Sequence, residues 1–230
     1  MKMKIIFLVI VVANVVVLPH VEAETTSNSK LSLTDGSGIV TPPLNPIDPT
    51  NPIITAPTDP LDPDNNGTGA EGPLSIDYVS NFYFGEHKIS GSDMTFLGKN
   101  LNPYIQVTDT RGTGAGWKVQ ASISEFLSSD KKAVLKGAEF TLKNPILKSA
   151  SESNLSTKPN GTSKITLNSN KQSVVVSVED AGKGTWLVIF PAERGKEVNE
   201  NLLLHVPAGS PEANTTYTAT IKWELLDGPK

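Results

Sequence analysis

The 230-residue chain has no cysteine, only 3 histidines and 3 tryptophans, and 6 % aromatic residues. Each scarcity closes off a class of chemistry. Without cysteine there is no disulfide framework and no thiol nucleophile. His20, His87 and His205 fall in neither H-x-x-x-H nor H-E-x-x-H spacing, so no metal site is expected. No G-x-S-x-G elbow occurs. The glycines at 112, 114 and 116 do not extend to G-x-G-x-x-G and lead into a strand pattern rather than a helix, so no cofactor is expected either. The formal net charge of −4 supplies no broad basic field for nucleic acid. It also argues against simple electrostatic adhesion to anionic wall polymer or lipid head groups. Beyond the N-terminus no apolar run reaches the length of about 20 residues that a bilayer span requires, so the mature chain is expected to lack a transmembrane segment.

What is present begins with a leader. Lys2 and Lys4 precede an apolar run from Ile5 to Leu18, and Val21-Glu22-Ala23 sets small residues at −3 and −1 of a cut after Ala23. Residues 1–23 therefore read as a secretory signal peptide, and the mature protein as extracellular. An exported chain without cysteine points to a Gram-positive bacterium. In that setting the sequons at Asn66, Asn154, Asn160 and Asn214 are loop composition rather than glycosylation sites. Residues 24–71 read as a disordered, Asp/Asn-Pro-rich spacer. Within it, Asn45-Pro46, Asp48-Pro49, Asn51-Pro52, Asp59-Pro60 and Asp62-Pro63 bias the backbone to extended, polyproline-like geometry. Asp62, Asp64, Asn66 and Gly67 match the first half of a calcium loop, but Pro73 stands where the bidentate Glu should be.

From Gly72 the pattern is of strands, and 72–230 reads as one all-β, β-sandwich-like domain. Leu74–Val79 opens with alternation. Tyr104–Val107, Trp117–Ser124, Ala138–Leu142, Ser173–Val178 and Leu202–Val206 follow, with Gly, Pro, Asn and Ser punctuating between them. Thr185–Phe190 is a continuous apolar run, as expected of a central strand buried on both faces. Thr216–Leu226 completes the set, and only Ser124–Asp130 suggests a short helical turn.

Alternation places Trp223 on one face with Tyr217, Ala219, Ile221 and Leu225, and Trp117 with Val119, Ala121 and Ile123. Each ring has two candidate roles: a core side chain, or a sugar-stacking platform, which needs an exposed ring beside polar groups. Trp117 is the better platform candidate, since it follows a glycine loop and sits near Asp109, Arg111 and Lys118.

The pairing of Gly116-Trp117-Lys118-Val119 with Trp223-Glu224-Leu225 resembles the WxL domain of Gram-positive surface proteins. Asn81-Phe82-Tyr83-Phe84-Gly85, Val107-Thr108-Asp109-Thr110-Arg111, Leu135-Lys136-Gly137-Ala138, Gly184-Thr185-Trp186 and Val206-Pro207-Ala208 agree with it, as does the order of leader, spacer and domain. The first triplet departs, with Val119 in place of Leu. The resemblance implies a non-catalytic domain bound non-covalently to peptidoglycan. It also implies partners among other WxL-system surface proteins, one of them membrane-anchored. It carries over Trp117, Lys118, Val119, Trp223, Glu224 and Leu225 as ligand-binding candidates that also fit a core role, and it transfers no catalytic set. Two other functions compete. One is an adhesin for host or polysaccharide. The other is a wall-active glycosidase drawing a carboxylate pair from Asp77, Glu86, Asp109, Glu139, Glu179 and Asp180, which spacing alone does not select.

Overall fold

The computed structural model describes residues 27–51 and 59–228. The leader expected at 1–23 and positions 52–58 of the Pro-rich stretch lie outside them. The chain divides between Leu33 and Thr34, and the folded unit begins at Thr34.

Its strands are β1 (Leu74–Val79), β2 (Met94–Gly98), β3 (Tyr104–Asp109), β4 (Trp117–Ile123), β5 (Leu127–Ser128), β6 (Glu139–Lys143) and β7 (Ile146–Ser149). They continue with β8 (Asn160–Gly161), β9 (Lys164–Leu167), β10 (Gln172–Ser177), β11 (Gly184–Ile189), β12 (Asn199–Val206), β13 (Tyr217–Thr218) and β14 (Ile221–Asp227). No helix occurs among the described residues, and the all-β reading holds. Three four-stranded antiparallel sheets, in the orders β1-β3-β11-β7, β14-β4-β10-β8 and β2-β12-β6-β9, surround one apolar core. Alternation builds that core. Ile105 and Val107 of β3, Trp117, Val119 and Ala121 of β4, Phe140 and Leu142 of β6, Val188 of β11 and Leu202 of β12 all turn inward and are buried.

Two expectations change. Ser124–Asp130 is not helical: it contains β5 and a turn in which Ser128 Oγ donates to Asp130 Oδ1 at 2.6 Å. The last strand is broken at Ala219–Thr220, because Ser124 and Thr220 bond each other there, Ser124 N to Thr220 O at 3.0 Å and Thr220 N to Ser124 Oγ at 2.9 Å. The two pieces pair with different partners, β13 with β5 and β14 with β4.

β11 is buried on both faces, as its unbroken apolar run requires. Trp186, Val188 and Phe190 face the main core. Leu187 and Ile189 join Tyr78 and Tyr104 in a second cluster, on which Leu44 packs. The cover comes from the Asp/Asn-Pro-rich stretch, whose described part lies on the sheet rather than standing off from it. Further along, Asn65 Nδ2 bonds Val79 O at 2.9 Å, and Thr68 N bonds Asp77 O at 2.8 Å, along the outer edge of β1. Asp62 accepts from Asn81 Nδ2 at 2.9 Å, and Asp59 from Asn100 Nδ2 at 2.7 Å. Pro42 and Pro43 lie outside any turn, whereas Pro46, Pro49, Pro60 and Pro63 fall in bends or turns that their fixed φ also suits. Of the Asx side chains beside them, Asp59 and Asp62 bond the domain, whereas Asn45 and Asp48 bond within the segment, accepting from Ile47 N and Thr50 Oγ1.

Candidate functional site

The two Trp triplets are brought side by side. β4 and β14 are antiparallel neighbours, with Trp223 opposite Ala121, Leu225 opposite Val119 and Asp227 opposite Trp117. Directly paired residues share a face, so both rings and both aliphatic residues point to the core. Trp117 and Val119 are 0 % exposed. Trp223 and Leu225 are half-buried and pack against the same cluster.

Trp117 is fixed by backbone geometry on both sides. Its Nε1 donates to Gly182 O at 3.1 Å. Gly182 (φ 68°) leaves no room for a Cβ, which would lie 2.1 Å from Ser177 Oγ and 2.8 Å from Trp117 Nε1. Gly116 (φ 73°) is equally tight, its Cβ position 2.4 Å from Ser177 O. The glycine loop therefore clamps the ring rather than freeing it. Trp117 offers no face for a sugar, and the platform role falls away at the position where the sequence favoured it.

The charges near Trp117 form a structural latch. The Arg111 guanidinium holds Asp109 with both arms of its fork, Nε to Oδ1 at 2.9 Å and Nη2 to Oδ2 at 2.7 Å. Nη2 also reaches Gly116 O at 2.7 Å, and Nη1 bonds Asp227. The Asp109 side chain is 1 % exposed, that of Arg111 11 % and that of Asp227 73 %. The Asp109 bonds and the two negative charges raise the Arg111 pKa further, so the cation is permanent. Asp227 was not singled out from sequence. Its signal is positional, two residues past Leu225 on the strand that faces Trp117.

Lys118 and Glu224, the middle residues of the triplets, lie on the opposite face of the sheet. With Gln120, Ser122, Lys222 and Leu226 they form a mixed polar surface in which neighbours pair across the strands. Lys171 bridges to Glu224 at 2.7 Å. The remaining stretches that carried the resemblance are packing devices. Phe82 and Phe84 meet the Phe140 ring edge-on at 5.1 and 5.4 Å. Leu135 is in the core, and Gly137 (φ 72°) fits against Pro207. Of the carboxylates a glycosidase would need, Asp77 and Asp109 are 2 % exposed and already bonded, to Ser75, Gln106 and Thr108 and to Arg111 respectively. No group of His, Asp or Glu suited to a metal occurs among the described residues.

A family model described as WxL domain surface cell wall-binding matches residues 20–229. The chain belongs to this family. The WxL match begins well before Gly72, so it takes in the Pro-rich segment that lies on the sheet as well as the strands. Neither curated proteins nor solved structures give a match. A WxL assignment makes this a surface protein with a cell-wall-binding domain. It places the triplet residues in a family context in which this structure gives Trp117 and Val119 a core role.

Proposed function

We propose that the protein is a secreted, non-catalytic module that attaches non-covalently to the peptidoglycan of a Gram-positive wall and serves within a complex of surface proteins, one of them membrane-anchored. The family match over 20–229 carries this reading. In it the leader at 1–23 is removed, 24–71 links to the β-domain of 72–230, and the triplets act by holding β4 and β14 together. Contact with the wall then falls to the outer face of those strands, where Lys118, Gln120, Lys222 and Glu224 present donors and acceptors to a glycan or stem peptide. The half-buried edge of Trp223 is the one aromatic surface the triplets leave accessible.

Co-sedimentation of mature chain 24–230 with purified sacculi tests the reading. The protein should pellet with the sacculi, stay in solution without them, and release no soluble wall fragments. Reversing charge on the outer face, as Lys118→Glu with Lys222→Glu, should return most of it to the supernatant while far-UV circular dichroism is unchanged. Wild-type protein that stays in solution at saturating sacculi removes direct wall attachment, and release of wall fragments removes the non-catalytic part.

A further inference from the structure

The outer face of the β1-β3-β11-β7 sheet binds a piece of the chain in a way that strand pairing does not explain. Residues 36–47 cross it obliquely. Gly36 N donates to Thr110 O at 3.3 Å, just past the end of β3. Mid-strand, the Gln106 carboxamide reads the segment's backbone at two points. Its Oε1 accepts from Leu44 N at 2.8 Å, and its Nε2 donates to Pro42 O at 2.9 Å. Gln106 is wholly buried and is held from behind by Asp77 Oδ2 at 3.1 Å. Leu44 sits on Leu187, Ile189 and the Tyr78–Tyr104 pair, whose rings stack at 4.4 Å. At the far strand Lys148 Nζ donates to Pro46 O at 3.2 Å and to Ile47 O. Asn45, also buried, turns the segment by accepting from Ile47 N at 2.9 Å.

These are the parts of a peptide-recognition groove. A fixed carboxamide and an ammonium read main-chain groups, an aromatic-walled pocket takes one aliphatic side chain, and Pro42, Pro43 and Pro46 fix their φ before the peptide binds, so less entropy is lost on docking. The fit is incomplete. The Tyr104 hydroxyl is buried with no hydrogen-bond partner.

We propose that this face is a binding site for a Pro-Pro-Leu-Asn-Pro peptide, filled in cis by residues 42–47 and open to the same segment of a second copy where copies crowd together. A tethered segment has a high effective concentration, so an isolated molecule closes on itself. At the density of a surface layer, exchange between neighbours links them without any further domain. The groove and its cis occupant stand apart from wall attachment, and the exchange between neighbours rests on the surface location proposed above.

The test uses the mature chain and a synthetic peptide of residues 41–50. In the wild type, the Leu44 amide should exchange with solvent deuterium at least about tenfold faster than the Val107 amide, because the segment opens locally. An excess of peptide should accelerate Leu44 exchange further by holding the groove while it is open. Equal rates for Leu44 and Val107 make the segment an inseparable layer of the core and overturn the proposal. In Leu44→Asp protein that stays folded, the groove is vacated and the peptide should bind saturably. Adding Gln106→Ala should weaken that binding by about tenfold or more, and a peptide carrying the Leu44→Asp change should not bind. Should Leu44→Asp unfold the chain, the two wild-type exchange measurements decide alone. A folded, vacated groove that ignores the peptide overturns the proposal.

Discussion

Trp117 lies on β4, which has β14 on one side and β10 on the other, and its ring is wholly buried. Trp223 lies on β14, which has β4 alone beside it, and its ring is half-buried. The two residues open nearly the same triplet, share a sheet face and stand on adjacent strands. What separates them is place in the sheet: an interior strand closes over its side chains from both flanks, whereas an edge strand leaves one flank to solvent. The triplet sets which way the ring points, and the strand's position sets how much of it is covered.

Removing each ring in turn tests strand position as the cause of their different burial. Trp117→Ala should cost about 3–5 kcal/mol, because the clamp formed by Gly116 and Gly182 keeps the cavity from collapsing. That is a large share of a typical domain's stability, and urea unfolding followed by fluorescence or circular dichroism would read it. Trp223→Ala removes less buried area and should cost about 1–2 kcal/mol, leaving a folded protein. Sedimentation with sacculi then reads any direct contact of that ring. Equal losses at the two sites would mean that strand position does not govern burial here.

Arg111 joins the two regions, since it bonds Gly116 just before Trp117 and Asp227 just after Leu225. Arg111→Ala leaves the buried Asp109 carboxyl without its cation, and should cost about 3 kcal/mol. Arg111→Lys keeps the charge but loses the two-armed grip and should recover only part of that. The Asp227 contact is exposed and contributes little, so Asp227→Ala should cost under about 1 kcal/mol. Hydrogen exchange should show the Arg111→Ala loss falling first on the end of β14. A loss spread evenly over β4 and β14 would show that the latch serves Asp109 and not the edge strand.

Much of this was legible in the sequence. Period-two alternation marks β1, β4 and β6, apolar or β-branched runs mark β3, β10 and β12, and the unbroken run of β11 correctly signals two covered faces. β2, β7, β8 and β9 were missed, being 2 to 5 residues long and so too short for any pattern to stand out from loop. The identity of the cover over β11 was illegible for a different reason. Proline composition specifies an extended chain, and extended chain is equally suited to solvent and to a groove. Only Gln106 and Lys148, far away in sequence, decide between them. Trp117 misled in the same way. A glycine-rich approach reads as freedom, but Gly116 is glycine because nothing larger fits. The latch partner Asp227 depended on register, which alternation does not supply.

The other edge strand extends the comparison with the smallest expected effect. β1, like β14, has one sheet neighbour, yet its Asp77 is 2 % exposed. Here residues 42–44 and 65–68 cover what the sheet leaves open. Burial pushes the Asp77 carboxyl above the usual carboxylate range, against the pull of hydrogen bonds from Ser75, Thr108 and Gln106. The folded protein therefore holds this proton more tightly than the unfolded chain, where Asp titrates at about 3.9. The stability it contributes is complete below that value and is lost as pH rises through the raised folded pKa. Asp77→Asn removes the titration while keeping the shape. Its Nδ2 can donate to Ser75 Oγ, and its Oδ1 can accept from Thr108 and Gln106. Urea unfolding of variant and wild type from pH 3 to 7 should show the difference moving in the variant's favour as pH rises. A pH-independent difference would mean that the covering segment stands open over β1 in solution, and β1 and β14 would then be edges of the same kind.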